Sequence, residues 1–174
     1  MKCWEALAIH HPRQIACALS RRNWNPHAEG AGASCFLDLG CGHGVPISQT
    51  LIEEGFTVFG VDASRTLIEA FRKRFPNAFV ECAGVEDSEF FQRTFDGVVA
   101  CGLIFLMPED TQSFVIHKVA RALNPNGRFL FISPKEIVTW RDALTDRESL
   151  SGGSQAVPRN LACGRPRFSR RAIG

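Results

Sequence analysis

Three glycines at alternate positions, Gly40, Gly42 and Gly44, follow the short apolar run "CFLDL" at 35–39. An acid, Asp38, stands just before them. Glycine in such a turn lets backbone approach a ligand closely and take up positive φ. A dinucleotide fingerprint, G-x-G-x-x-G, would put its third glycine at position 45, which is Val45. Asp38 would also repel an anionic pyrophosphate, whereas it suits a ligand with a positive end. A second acid, Asp62, closes the run "TVFGVD". At a strand end a carboxylate can accept hydrogen bonds from both hydroxyls of a ribose. The competing reading is an N-cap for the helix that begins near Ser64. After the third apolar run, Glu86 and Asp87 can meet the amino group of an adenine or favour the amino end of a short helix through its dipole.

These residues need elements to hold them. "CFLDL" (35–39), "TVFGVD" (57–62), "AFVEC" (78–82), "FDGVVAC" (95–101) and "GRFLFIS" (127–133) read as strands. Between them lie helical patterns at 45–55, at 64–75 (Ser64 as N-cap, Pro76 as stop) and at 109–123. The last of these is expected to turn Phe114, Val115, Val119 and Leu123 inward. Strand and helix alternating with short turns, and strands apolar on both faces, imply a parallel sheet covered on both sides. Right-handed crossovers make it doubly wound. Residues 1–34 read as a helix ("PRQIACALSRR") and a loop, 35–149 as the ligand-binding domain, and 150–174 as an irregular basic tail.

At 174 residues the chain suits one domain, and 45% hydrophobic with 22% charged residues is ordinary for a soluble globular protein. Seven scattered cysteines, odd in number and without a C-x-x-C pair, are neither a disulfide framework nor a zinc site, and no metal is expected. No stretch reaches about 18 consecutive apolar residues, and the first residues lack a long apolar leader core. The expectation is a reduced, cytoplasmic protein without a membrane partner. Five arginines and no acid follow Pro158. They read as a solvated end, since no aromatic-interleaved basic stripe supports nucleic acid.

"LDLGCGHG", "VDAS", "FDGVVACGLIFLMPED" and "RALNPNGRFLFISP" together resemble the successive motifs of class I S-adenosylmethionine-dependent methyltransferases, over about residues 35–150. The resemblance implies a Rossmann-like sheet with the five strands in the order 3-2-1-4-5. It implies S-adenosyl-L-methionine as cofactor and methyl transfer to a small-molecule acceptor. By the same resemblance Asp38, Gly40, Cys41, Gly42 and Gly44 surround the methionine portion, with Asp38 near its ammonium group. Asp62 holds the ribose. Ala63 and Ser64 line one edge of the adenine and Val85 and Glu86 the other, while Ala100, Cys101 and Gly102 close the pocket. No catalytic residue is assigned; His43 is a pocket-edge histidine. The apolar "GLIFLMP" stands where enzymes acting on nucleic-acid bases or amides carry a polar Asn/Asp-Pro-Pro-aromatic motif. Trp140 and Arg141 fall where substrate contacts are often built, although an exposed arginine is the plainer reading.

The family continues past the fifth strand with a helix and an antiparallel hairpin. The last twenty-five residues here are too few and too polar for both, so that hairpin is expected to be missing from the sheet. The fifth strand would then be an open edge, to be covered by a second copy of the chain, the tail or the N-terminal segment, or else to make the protein aggregation-prone. This departure keeps a rival reading open, that of a cofactor-binding but weak or inactive member serving as an interaction module. An NAD-dependent oxidoreductase ranks third.

Overall fold

A computed structural model describes residues 5–9, 34–132, 137–141 and 148–152. Six strands form one sheet: β1 (Glu5–Ile9), β2 (Cys35–Leu39), β3 (Thr57–Asp62), β4 (Phe79–Cys82), β5 (Phe95–Ala100) and β6 (Leu123–Ile132). Their order is β1-β6-β5-β2-β3-β4, and every pairing is parallel. The five expected strands therefore lie in the expected 3-2-1-4-5 order. β1 is the addition. It pairs along β6 from Glu5 opposite Arg128 to Ile9 opposite Ile132. Of the three covers foreseen for that edge, the N-terminal segment supplies it.

Helix α1 (Ile47–Glu53) follows β2, α2 (Arg65–Arg74) follows β3, and α3 (Glu109–Ala122) follows β5. Alternation along β2 explains why both faces need cover. Phe36 packs with Ile47, Leu51 and Val58 on the α1 side, while Leu37 and Leu39 join Val98, Val115 and Phe129 on the α3 side. Burying each such Leu or Phe contributes roughly 1.5–3 kcal/mol, so these two layers carry the sheet. α2 starts as the sequence predicts: the Ser64 hydroxyl accepts from the Leu67 amide, and Pro76 follows its last turn.

The inward face of α3 differs from the sequence expectation at one residue. Gln112, Val115, Ile116, Val119 and Ala122 are buried, whereas Phe114 is 54% exposed. The buried set recurs at three- and four-residue steps, and Phe114 falls between its members. Gln112 occupies the face because its amide donates to the Met107 carbonyl at 2.9 Å.

All six strands of the main sheet run parallel. An antiparallel pair does form apart from it, β7 (Ile137–Arg141) with β8 (Glu148–Gly152), as a two-stranded sheet of its own. β8 lies against the 3-10 turn Ile104–Leu106 that follows β5. The sequence reading gave neither segment strand character, and β8 runs three residues into the stretch expected to be irregular. The helix expected over 12–22 and the tail beyond 152 lie outside the described residues. No helix among the described residues is long and apolar enough to cross a membrane.

Candidate functional site

The glycine turn leaves the carboxyl end of β2 at the middle of the sheet, beside the end of β3. The Gly40 and Cys41 amides both donate to the Val61 carbonyl, at 2.8 and 3.2 Å, and stitch the turn to β3. Gly42 has φ +55, and a Cβ there would meet only Leu67 Cδ1, at 3.9 Å. Gly44 is needed for a different reason. Its φ is +87, and a Cβ would fall 2.5 Å from Phe75 and 2.9 Å from Phe71 of α2. One glycine leaves open space and the other seats the turn on a helix.

A cavity of about 410 Å3 opens on this turn, lined by Asp38, Gly40, Cys41, Gly42, His43, Val45, Pro46, Ile47, Leu67 and Cys101. Asp38 is 1% exposed, and its Oδ2 accepts from the Ser48 hydroxyl of α1 at 2.6 Å. Burial lifts its carboxyl to about 7; the Ser48 hydrogen bond opposes that rise and the nearby Asp62 charge adds to it. Burial, with the Asp38 charge second, pushes the Cys101 thiol to about 12 and the Cys41 thiol upward as well. Both cysteines therefore stay protonated and act as small apolar lining.

Asp62 reaches the same turn from β3. Its Oδ2 accepts from the Gly42 amide at 2.9 Å and its Oδ1 from the Ser64 amide at 2.8 Å. Ser64, not Asp62, caps α2 with its side chain. Each carboxylate oxygen of Asp62 has a second lone pair for a further donor.

The remaining sequence candidates separate. Ala63 follows Asp62, and its carbonyl receives the Cys82 thiol at 3.8 Å. Glu86 is exposed, whereas Val85 is 4% exposed and packs in the α3-side core. Ala100 is buried in that core too. Gly102 has φ +73, and no atom lies within 4 Å of where its Cβ would be, so the loop after β5 opens onto space. His43 Nδ1 accepts from the Val45 amide at 3.2 Å, which leaves Nε2 of the neutral ring as a donor. That geometry does not suit a general base. Arg141 is exposed on β7.

Sequence reasoning did not name Ser48, and Leu67 and Leu103 entered it only as members of apolar runs. Ser48 could have been suspected as the first hydroxyl within the helix after the turn. Leu103 belongs to the apolar "GLIFLMP" run, read as an acceptor lip or as packing; its side chain lies 3.3 Å from the Cβ position of Gly40 and brings the post-β5 loop over the turn.

This arrangement matches known proteins. A family model described as a methyltransferase domain matches residues 36–127, more than half of the chain. An uncharacterized protein of Rickettsia prowazekii is 29% identical over 134 residues, 69% of this chain and 50% of that protein. The methyltransferase GfsG of Streptomyces halstedii is 33% identical over 103 residues, 53% of this chain and 34% of its own length. The crystal structure of a TehB-like S-adenosylmethionine-dependent methyltransferase from Corynebacterium glutamicum superposes with a TM-score of 0.53 at 28% identity, covering 58% of this chain and 55% of that one. The chain spans half or less of the length of the curated relatives it matches. By the match across its central sheet and glycine turn, the chain belongs to the methyltransferase domain family.

Proposed function

We propose that the chain binds S-adenosyl-L-methionine at the β2 turn and transfers its methyl group to a small-molecule acceptor. The observation that carries this reading is the cavity beside a buried carboxylate. Among the described residues Asp38 is held by the Ser48 hydroxyl and main chain and meets no cation, a costly arrangement that a ligand ammonium would relieve. Gly42 leaves backbone exposed to a ligand, and Asp62 keeps lone pairs for ribose hydroxyls. These residues fit an amino-acid-bearing nucleoside and would hold it with Gly40, Cys41 and Cys101. The turn after β4, at Val85 and Glu86, would receive the base.

When bound, the sulfonium supplies an activated methyl group whose departure leaves a neutral sulfur. The protein's own contribution is to orient and to exclude water. Leu67, Val45 and Leu103 bring apolar surface to the turn, and the apolar Ile104–Leu106 turn, with β8 against it, supports an acceptor that is small and partly apolar. His43, donating from Nε2, can orient an acceptor oxygen or nitrogen rather than deprotonate it.

Titration calorimetry with S-adenosylhomocysteine and with NAD, on the wild type and Asp62→Ala, tests the cofactor assignment. Binding of the first alone, weakened about a hundredfold by the substitution, is the expected result; binding of NAD instead would refute it. Transfer of labelled methyl to a panel of small acceptors tests the second half. Binding without transfer would favour a cofactor-binding interaction module, a reading encouraged by how little of its relatives' length the chain spans.

A further inference from the structure

Outside the cavity, one side chain crosses between elements to grip the turn assigned to the base. Lys118, on α3, donates from Nζ to the Val85 carbonyl at 3.1 Å and to the Glu86 carbonyl at 2.8 Å. The same ammonium sits 4.8 Å from the Phe90 ring centroid and 5.7 Å from that of Phe114. Two carbonyls and two aromatic rings thus surround it. The exposed Phe114, out of place as a core residue, has a role as one wall of this enclosure.

The consequence follows from peptide geometry. In a trans peptide the carbonyl and the following N–H point in opposite directions in one plane. Lys118 holds the Val85 carbonyl, so the Glu86 N–H is aimed away from it. The Asp87 amide, on the next peptide, is already used by the Gly84 carbonyl at 3.1 Å. Among the described residues none accepts from the Glu86 N–H. A single oriented backbone donor is thereby left on the turn.

We infer that Lys118 is a positioning residue for base selection: by holding the Val85 and Glu86 carbonyls it presents the Glu86 N–H to an unprotonated ring nitrogen of an adenine. This rests on the proposed cofactor and adds what makes the site choose its base. Adenine offers such an acceptor at N1; hypoxanthine carries a proton there and does not.

The test compares S-adenosylhomocysteine with S-inosylhomocysteine by calorimetry on the full chain. Wild type is expected to prefer the adenine compound by about tenfold. Lys118→Met, which keeps the stem against Phe90, is expected to lose about tenfold for the adenine compound and less than about twofold for the hypoxanthine one. Lys118→Arg, which can still donate, should restore the preference. Melting curves accompany each variant, and Lys118→Leu, which likewise cannot donate, replaces Lys118→Met if that chain does not fold. Unchanged adenine affinity in Lys118→Met, or equal loss for both compounds, would overturn the inference and leave a scaffold role. Wild type that binds both equally would overturn it alone. Wild type that binds neither would remove the cofactor reading together with it.

Discussion

The two ends of the central strands treat a carboxylate in opposite ways. At the amino end, Asp96 of β5 accepts from the Cys35 amide at 2.9 Å and from the Asn124 side chain at 2.8 Å, tying β2, β5 and the start of β6 together. At the carboxyl end, Asp38 of β2 is buried, is held by Ser48 through its hydroxyl and main chain, and faces a cavity. Asp96 uses its charge to close the structure. Burial lifts the Asp38 carboxyl to about 7, so the fold disfavours its charged form. The difference separates a carboxylate that ties strands together from one that borders open space.

Substitutions can break that contrast or sharpen it. The largest effect is expected from Asp62→Ala, which removes the ribose acceptor and the partner of the Gly42 amide together. S-adenosylhomocysteine affinity should fall by about a hundredfold, equivalent to roughly 3 kcal/mol. Calorimetry reads this, and a loss below tenfold would argue that Asp62 only shapes the turn. Next, Gly44→Ala sets a methyl against Phe71 and Phe75 at positive φ, and should cost about 2 kcal/mol in a denaturant melt. An unchanged midpoint would mean that α2 yields.

Asp38→Asn should act in two directions. The folded carboxyl titrates at about 7 against 3.8 unfolded, so the native state binds more protons between these values. Its contribution to stability is greatest in acid and is lost as pH rises through that window. The asparagine variant should therefore melt higher than wild type at pH 8. Its S-adenosylhomocysteine affinity should be lower by about tenfold there and flat from pH 6 to 8, where wild-type affinity rises. A pH-independent wild type would remove Asp38 from ammonium binding. Asp96→Asn is the smallest change: about 1 kcal/mol of stability through a lost acceptor, with ligand affinity unaltered.

What could be read from the chain was what local pattern encodes. The five apolar runs, the helix starts at Ser64 and Glu109 and the glycine turn are contiguous features, and they fell into place. Asp38 and Asp62 were legible because their sites are defined by position relative to strand ends. Ser48, Leu103 and Lys118 were not. Their partners lie 10 residues away in sequence for Ser48 and 32 to 33 away for Lys118. Only packing brings such groups together. β1 escaped for a related reason. "EALAI" is as good a helix sequence as a strand, and pairing with β6 decides between them. Phe114 misled because hydrophobicity says that a ring wants cover, not which partner provides it.

That pairing of the first strand with the last of the main sheet also bears on how the molecule assembles. Among the described residues the strand partner of Glu5–Ile9 is Arg128–Ile132, so on a ribosome that pairing must wait through the synthesis of nearly the whole domain. The inner strands can associate over short separations while this segment closes a very long loop, the slow kind of contact. Until it docks, the "FLFI" edge stays exposed to other nascent chains. Yield on expression should therefore depend on the first ten residues more than their contribution to the finished pocket would suggest.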